Sequence, residues 1–308
     1  MQDKYQKTIA KSLNFEGIGL HSGKKSRITI LPGEEDQGIV FKRVDVNQKN
    51  LIPANYKNVS SAKLCTTLEN DYGVKVSTVE HLLAAFYITG IDNAIIEIDN
   101  EEVPIMDGSA KDFLEKLNKV ELKILNKKRK YLKIVKKFDY FDGKRKISIE
   151  PTDASFEVDF QLDYQNKIIG NQRNIVNFQT DCLEDIYASR TFCLFEDIEK
   201  IKKIGLAKGG SLDNAIVVNE EKVLNDEGLR NEKEFVNHKI LDLAGDFVLS
   251  GYRVIGKIVC YQGGHQLSNM FLRNLLQNNS NFTYYELDDN SPAKKAGDNS
   301  FVKLAVNA

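Results

Sequence analysis

Cysteine and histidine are both scarce in this chain, four of each in 308 residues, and the scarcity limits what each can be doing. Cys65, Cys182, Cys193 and Cys260 show no C-x-x-C spacing. A chain of this size needs no disulfide framework to stabilise a core, so the four read as reduced, buried apolar residues of a cytoplasmic protein. An excess of either charge is also missing, since 43 Lys and Arg stand against 44 Asp and Glu. No global field draws the molecule to nucleic acid or to a membrane surface, and an anionic ligand has to be bound locally. Long apolar runs are absent too. The start, Met1-Gln2-Asp3-Lys4-Tyr5-Gln6-Lys7, has no apolar core of signal-peptide length, and no later segment could span a bilayer. A soluble monomer without integral membrane association is expected.

What is present can fill proper cores, because 42% of the residues are hydrophobic. Strands are read from β-branched enrichment at 27–31, 39–41 and 94–98, and helices over 79–89 and 110–120. The run Asn126-Lys127-Lys128-Arg129-Lys130 then interrupts the pattern and reads as a solvated linker and edge strand. Alternation restarts at Tyr131, strands follow at 146–149, 156–160 and 214–218, and a helix covers about 232–249. Strands grouped with segregated helices give an α+β class, with two similar two-layer sandwiches facing each other. The boundaries expected are 1–126, 127–280 and a polar tail over 281–308.

Chemistry concentrates in Phe235-Val236-Asn237-His238-Lys239-Ile240-Leu241-Asp242-Leu243-Ala244-Gly245-Asp246. At about 100° per residue, His238, Asp242 and Asp246 drift slowly around one helical stripe, bracketed by apolar residues on both flanks. The plain reading is an i,i+4 hydrogen-bonded pair; the chemical one is a metal site or a buried proton relay. Ser77-Thr78-Val79-Glu80-His81 also has two readings. Ser77 and Glu80 could form a capping box, or Glu80 and His81 could supply a general base and a metal ligand. His81, His238 and Asp242 would give three N/O ligands and leave a fourth position for water, the arrangement of catalytic zinc at an interface between the halves. His265 follows two glycines that let the backbone approach something closely. Thr191-Phe192 and Gly209-Gly210-Ser211 are suggestive, but a lone Gly-Gly-Ser is only a turn signal. His21 sits in a glycine-rich segment that lacks the dinucleotide pattern.

Taken together, Gly17-Ile18-Gly19-Leu20-His21-Ser22-Gly23, Thr78-Val79-Glu80-His81-Leu82, Gly90-Ile91-Asp92-Asn93, Pro104-Ile105-Met106-Asp107-Gly108-Ser109-Ala110, Ser189-Arg190-Thr191-Phe192, the α-helical stripe and Gly264-His265 give a close resemblance to the UDP-3-O-acyl-N-acetylglucosamine deacetylases. These are the zinc amidases of lipid A synthesis in Gram-negative bacteria. The resemblance implies zinc on His81, His238 and Asp242, with Glu80 as general base and His265 as general acid. It further implies that Thr191 helps to hold the oxyanion, that Lys239 and Asp246 fill further polar positions, and that Phe192, Gly210 and Ser211 line an acyl passage. The substrate implied is an acylated UDP-sugar. At 163–170, where the family commonly has phenylalanine followed by His-Pro, this chain has Tyr164 and no His-Pro, so no uridine contacts are assigned. Two other readings stand beside this one: an amidase for a different acylated amino sugar, and a non-catalytic binding protein in which Glu80 is only a cap.

Overall fold

The computed structural model describes residues 3–287 except 154. The polar run from Asp288 onward, most of the expected tail, lies outside the described residues. One sheet has five strands in the order Leu13–Ile18, Lys25–Pro32, Ala94–Ile98, Ile39–Arg43 and Leu51–Pro53. All neighbours run antiparallel except Ala94–Ile98 with Ile39–Arg43. The period-2 pattern is plain in Lys25–Pro32, where Ser26, Ile28 and Ile30 point into the core.

A second sheet has seven strands. At its centre Arg253–Tyr261 lies antiparallel to Arg145–Glu150 on one side. On the other it is parallel to Tyr131–Ile134 along its first part and to Phe156–Asp163 along the rest. Phe138–Asp142, Asn171–Asn177 and Phe282–Tyr285 complete it.

Six helices accompany the sheets among the described residues: α1 (Glu80–Thr89), α2 (Lys111–Leu117), α3 (Glu184–Tyr187), α4 (Phe195–Lys203), α5 (Glu234–Val248) and α6 (His265–Gln277). The chain is thus α+β, as its patterning indicates. Helix α1 is buried around its whole circumference from Glu80 to Phe86 because it is covered on several sides, with α5 packed along it. Helix α2 stops earlier than expected, where Asn118 and the turn at Val120 end it.

Two expectations need correction. The basic run is not all solvated linker. Leu122–Lys128 is a strand paired with Tyr5–Ile9, and Arg129 is buried, with its guanidinium on Asp92 and Asp3. The alternation that restarts at Tyr131 hides that Arg129 lies inside the join. The expected tail also begins as structure: Phe282–Tyr285 pairs antiparallel with Tyr131–Ile134, and Phe282 is buried.

Candidate active site

Three chain segments far apart in sequence meet where α1 crosses α5. The first turn of α1 brings Glu80 and His81, both buried. The capping-box reading of this turn fails. Ser77 ends a strand and its hydroxyl donates to the Glu101 carbonyl, Thr78 takes φ +56°, and the helix begins without a side-chain cap. Glu80 therefore does not cap the helix at Ser77, and its Oε2 instead accepts from the Thr66 N–H at 3.1 Å.

Helix α5 contributes His238, Lys239, Asp242 and Asp246, the stripe that its periodicity predicts. His238, Asp242 and Asp246 are each no more than 3% exposed. His238 Nδ1 faces the Ser189 carbonyl at 3.0 Å, so it carries the proton and Nε2 is left with its lone pair. Asp242 Oδ1 lies 3.4 Å from His238 Nε2 and 3.4 Å from His81 Nε2. The two imidazoles stand nearly perpendicular, with ring centroids 5.0 Å apart.

One donor atom from each of His81, His238 and Asp242 falls within 4.8 Å of the others. Asp242 Oδ1 is buried and has no hydrogen-bond partner among the described residues. A buried carboxylate oxygen without a donor is costly unless a cation takes it, so this donor set suits a metal ion. The other oxygen, Oδ2, is held by Lys239 Nζ at 2.6 Å.

Helix α6 opens with His265. Its Nδ1 is 3.0 Å from Asp246 Oδ2, and its Nε2 is 3.6 Å from Glu80 Oε1 and 3.8 Å from Asp242 Oδ2. Burial alone would lower the His265 pKa, but Asp246, Glu80 and Asp242 outweigh it and lift the imidazole to about 10. Burial pushes His238 down to about 3, more than neighbouring Asp242 restores. Burial would raise Asp242, but His238, Lys239 and His265 hold it well below the usual carboxylate range. Burial raises Glu80, against the pull of His265 and His81. The site therefore pairs a neutral His238 imidazole with a protonated His265 imidazole at its edge.

Thr191 lines the same cleft, as do Leu20, Leu64 and Ile105. Its N–H donates to the Gly108 carbonyl, and its own carbonyl accepts from Ile216. Gly108 has no room for a side chain there, since a Cβ would stand 2.1 Å from the Asn214 carbonyl oxygen. Next to Thr191, the fully buried Arg190 donates to both oxygens of Glu234, to Glu227 and to the Gly228 carbonyl. Phe192 packs edge-on against Phe235 at 5.0 Å and against Tyr164 at 5.9 Å, with Lys239 Nζ 5.6 Å above its ring. Gly210 and Ser211 lie on a loop beside the cleft, Gly210 next to Leu20, and neither is part of the lining. Sequence reasoning missed three contributors: Thr66, the Ser189 carbonyl and the Gly108 carbonyl. Ser189 and Gly108 sit in segments that stand out in the sequence, whereas Thr66 has no local signal.

The family model described as UDP-3-O-acyl N-acetylglycosamine deacetylase matches residues 6–277. The UDP-3-O-acyl-N-acetylglucosamine deacetylase of Shewanella frigidimarina (strain NCIMB 400) is 42% identical over 275 residues, covering 88% of this chain and 90% of that protein. The protein of that name from Pseudoalteromonas atlantica is 41% identical over 287 residues, 92% of this chain and 94% of its own length. The one from Syntrophotalea carbinolica is 42% identical over 275 residues, 89% and 88% respectively. The match takes in every segment that builds the cleft, from the loop at Leu20 to the start of α6, and the chain belongs to the UDP-3-O-acyl-N-acetylglucosamine deacetylase family.

Proposed function

We propose that this chain hydrolyses the N-acetyl group of UDP-3-O-acyl-N-acetylglucosamine to acetate and the free amine, the committed step of lipid A biosynthesis, and that its metal is zinc. The observation that carries the reading is the convergence of His81, His238 and Asp242, with an unpartnered buried oxygen on Asp242, beside Glu80 and His265. Two imidazole nitrogens and one carboxylate oxygen are the donors of a catalytic rather than a structural zinc site, and zinc there supplies Lewis acidity and activates water at neutral pH.

The residues around that position divide the remaining work. Glu80 accepts a proton at Oε1 from the attacking water, and its burial strengthens it as a base. The Thr191 hydroxyl donates to the oxygen of the tetrahedral intermediate. His265 Nε2 gives its proton to the departing sugar nitrogen as the C–N bond breaks, and Asp246 keeps that imidazole charged and oriented through Nδ1. Lys239 offsets the charge of Asp242 and of the intermediate. Phe192, with Gly210 and Ser211 nearby, borders the route for the acyl chain.

We further read residues 1–126 and 127–280 as two domains with the site between them, acting as a monomer because a single chain supplies every residue named. The four cysteines are free thiols, which supports a cytoplasmic setting, although only Cys65 and Cys260 are buried as expected, Cys193 being half-buried and Cys182 exposed. Among the described residues no helix is long and apolar enough to cross a membrane.

The test is acetate release from UDP-3-O-acyl-N-acetylglucosamine by chelator-stripped protein, before and after one equivalent of zinc. Activity that returns with zinc is expected. Folded protein inactive in both states would overturn the reading.

A further inference from the structure

Thr66 precedes the strand Thr67–Glu69, is 2% exposed, and makes three hydrogen bonds that tie it to two other segments, the start of α1 and helix α5. Its N–H donates to Glu80 Oε2 at 3.1 Å, its hydroxyl donates to Asp246 Oδ1 at 2.7 Å, and its carbonyl accepts from the Val79 N–H that leads into α1. The remaining oxygens of the two carboxylates face the same histidine. Asp246 Oδ2 is 3.0 Å from His265 Nδ1, and Glu80 Oε1 is 3.6 Å from His265 Nε2. Thr66, Glu80, His265 and Asp246 thus form a closed ring that crosses between α1, α5 and α6.

The terminal torsion of a carboxylate is soft and broad, so a single contact leaves the group free to turn. One fixed partner on each oxygen removes that freedom. Thr66 supplies the second partner to Glu80 and to Asp246 together, from one rigid backbone position. We propose that Thr66 is a positioning residue for the deacetylation, holding the base Glu80 and the Asp246–His265 pair at a set separation. This inference rests on the deacetylase reading and deepens it.

A purely structural threonine would affect stability but not turnover by the folded enzyme. The zinc-loaded full chain carrying Thr66→Val keeps the side-chain shape and the backbone N–H but loses the hydroxyl donor. Its kcat is expected to fall by about tenfold or more, the lower end of what outer-shell partners of metal sites carry. KM and zinc content should stay at wild-type values, and Thr66→Ser should restore kcat. In an Asp246→Ala background, Thr66→Val should have little further effect, because the hydroxyl acts through Asp246. If Thr66→Val is not recovered folded, Thr66→Ala is read in the same way. Wild-type kcat in the valine variant, equal losses in the valine and serine variants, or an undiminished loss in the Asp246→Ala background would each overturn the assignment. A wild-type protein that releases no acetate removes the deacetylase reading and this inference with it, whereas an active wild type with an indifferent valine variant removes this inference alone.

Discussion

A Cβ on Gly245 would stand 2.1 Å from the Glu80 carbonyl oxygen, so α1 and α5 cross with one backbone against the other. That contact is what brings the first turn of α1 within reach of His238 and Asp242. Gly245→Ala would gain roughly 1 kcal/mol of helix propensity, but overpacking against backbone costs about 1–3 kcal/mol, and backbone cannot rotate away. On the proposed zinc reading, the variant should melt lower than wild type and bind zinc about tenfold more weakly or worse, because Glu80 and His81 move away from His238 and Asp242. Zinc titration checks this; wild-type affinity would show that the crossing does not set the ligand geometry.

Asp242→Ala removes one of the three converging donors and leaves Lys239 without the carboxylate it binds. Zinc content by elemental analysis should drop well below one per chain, while Phe192→Ala, which supplies no donor atom, should retain the metal. An undiminished zinc load in Asp242→Ala would take Asp242 out of the ligand set.

If Glu80 is the base and His265 the acid, as proposed, Glu80→Gln and His265→Ala separate the two. Each should lower kcat by about 10²–10⁴, the usual share of general acid–base catalysis. The wild-type profile of kcat/KM against pH should be bell-shaped, the acidic limb disappearing in Glu80→Gln and the basic limb in His265→Ala. Both limbs surviving in both variants would reject the roles given to these residues.

Arg190 and Glu234 form an ion pair in which both side chains are almost wholly buried. Glu234 also accepts from the backbone N–H groups of Arg190 and Arg230, so it fixes the loop whose Ser189 carbonyl orients His238. Glu234→Ala leaves a buried guanidinium with only Glu227 and a carbonyl, and should cost about 3–5 kcal/mol in a urea titration. A loss near zero would mean that Glu227 alone compensates Arg190.

Asp107 supports the same loop from the other side, through Arg230 at 2.7 Å. Burial would raise its carboxyl, but Ser109 and Arg230 outweigh it and hold the pKa below the ordinary value of 3.8. Fewer protons are bound in the folded state, so the stabilisation is present above 3.8 and is lost as pH falls through the lower folded value. Asp107→Asn should destabilise the protein at neutral pH and flatten the acid limb of the stability curve below about pH 4. Parallel curves for the two proteins across that range would contradict this.

The stripe of His238, Asp242 and Asp246 was legible from sequence because helical periodicity is local: residues four apart share a face whatever the rest of the chain does. The strands at 27–31 and 94–98 were legible for the same reason, and the motif order carried the family. Glu80 shows where local reasoning failed. Its spacing from Ser77 suggested a cap, yet the positive φ at Thr78 turns the chain before the helix and leaves Glu80 to the site. Thr66 could not be found at all, since nothing in Leu64-Cys65-Thr66-Thr67 announces that its partners lie at Glu80 and Asp246. Arg129 was misread because its countercharges, Asp3 and Asp92, are distant in the chain. The sequence by itself determined which groups share a helical face and which chemistry they can perform. Only the tertiary structure decided that His81 meets His238, because that contact depends on how closely two helices from distant segments approach, and here the missing side chain of Gly245 sets the distance.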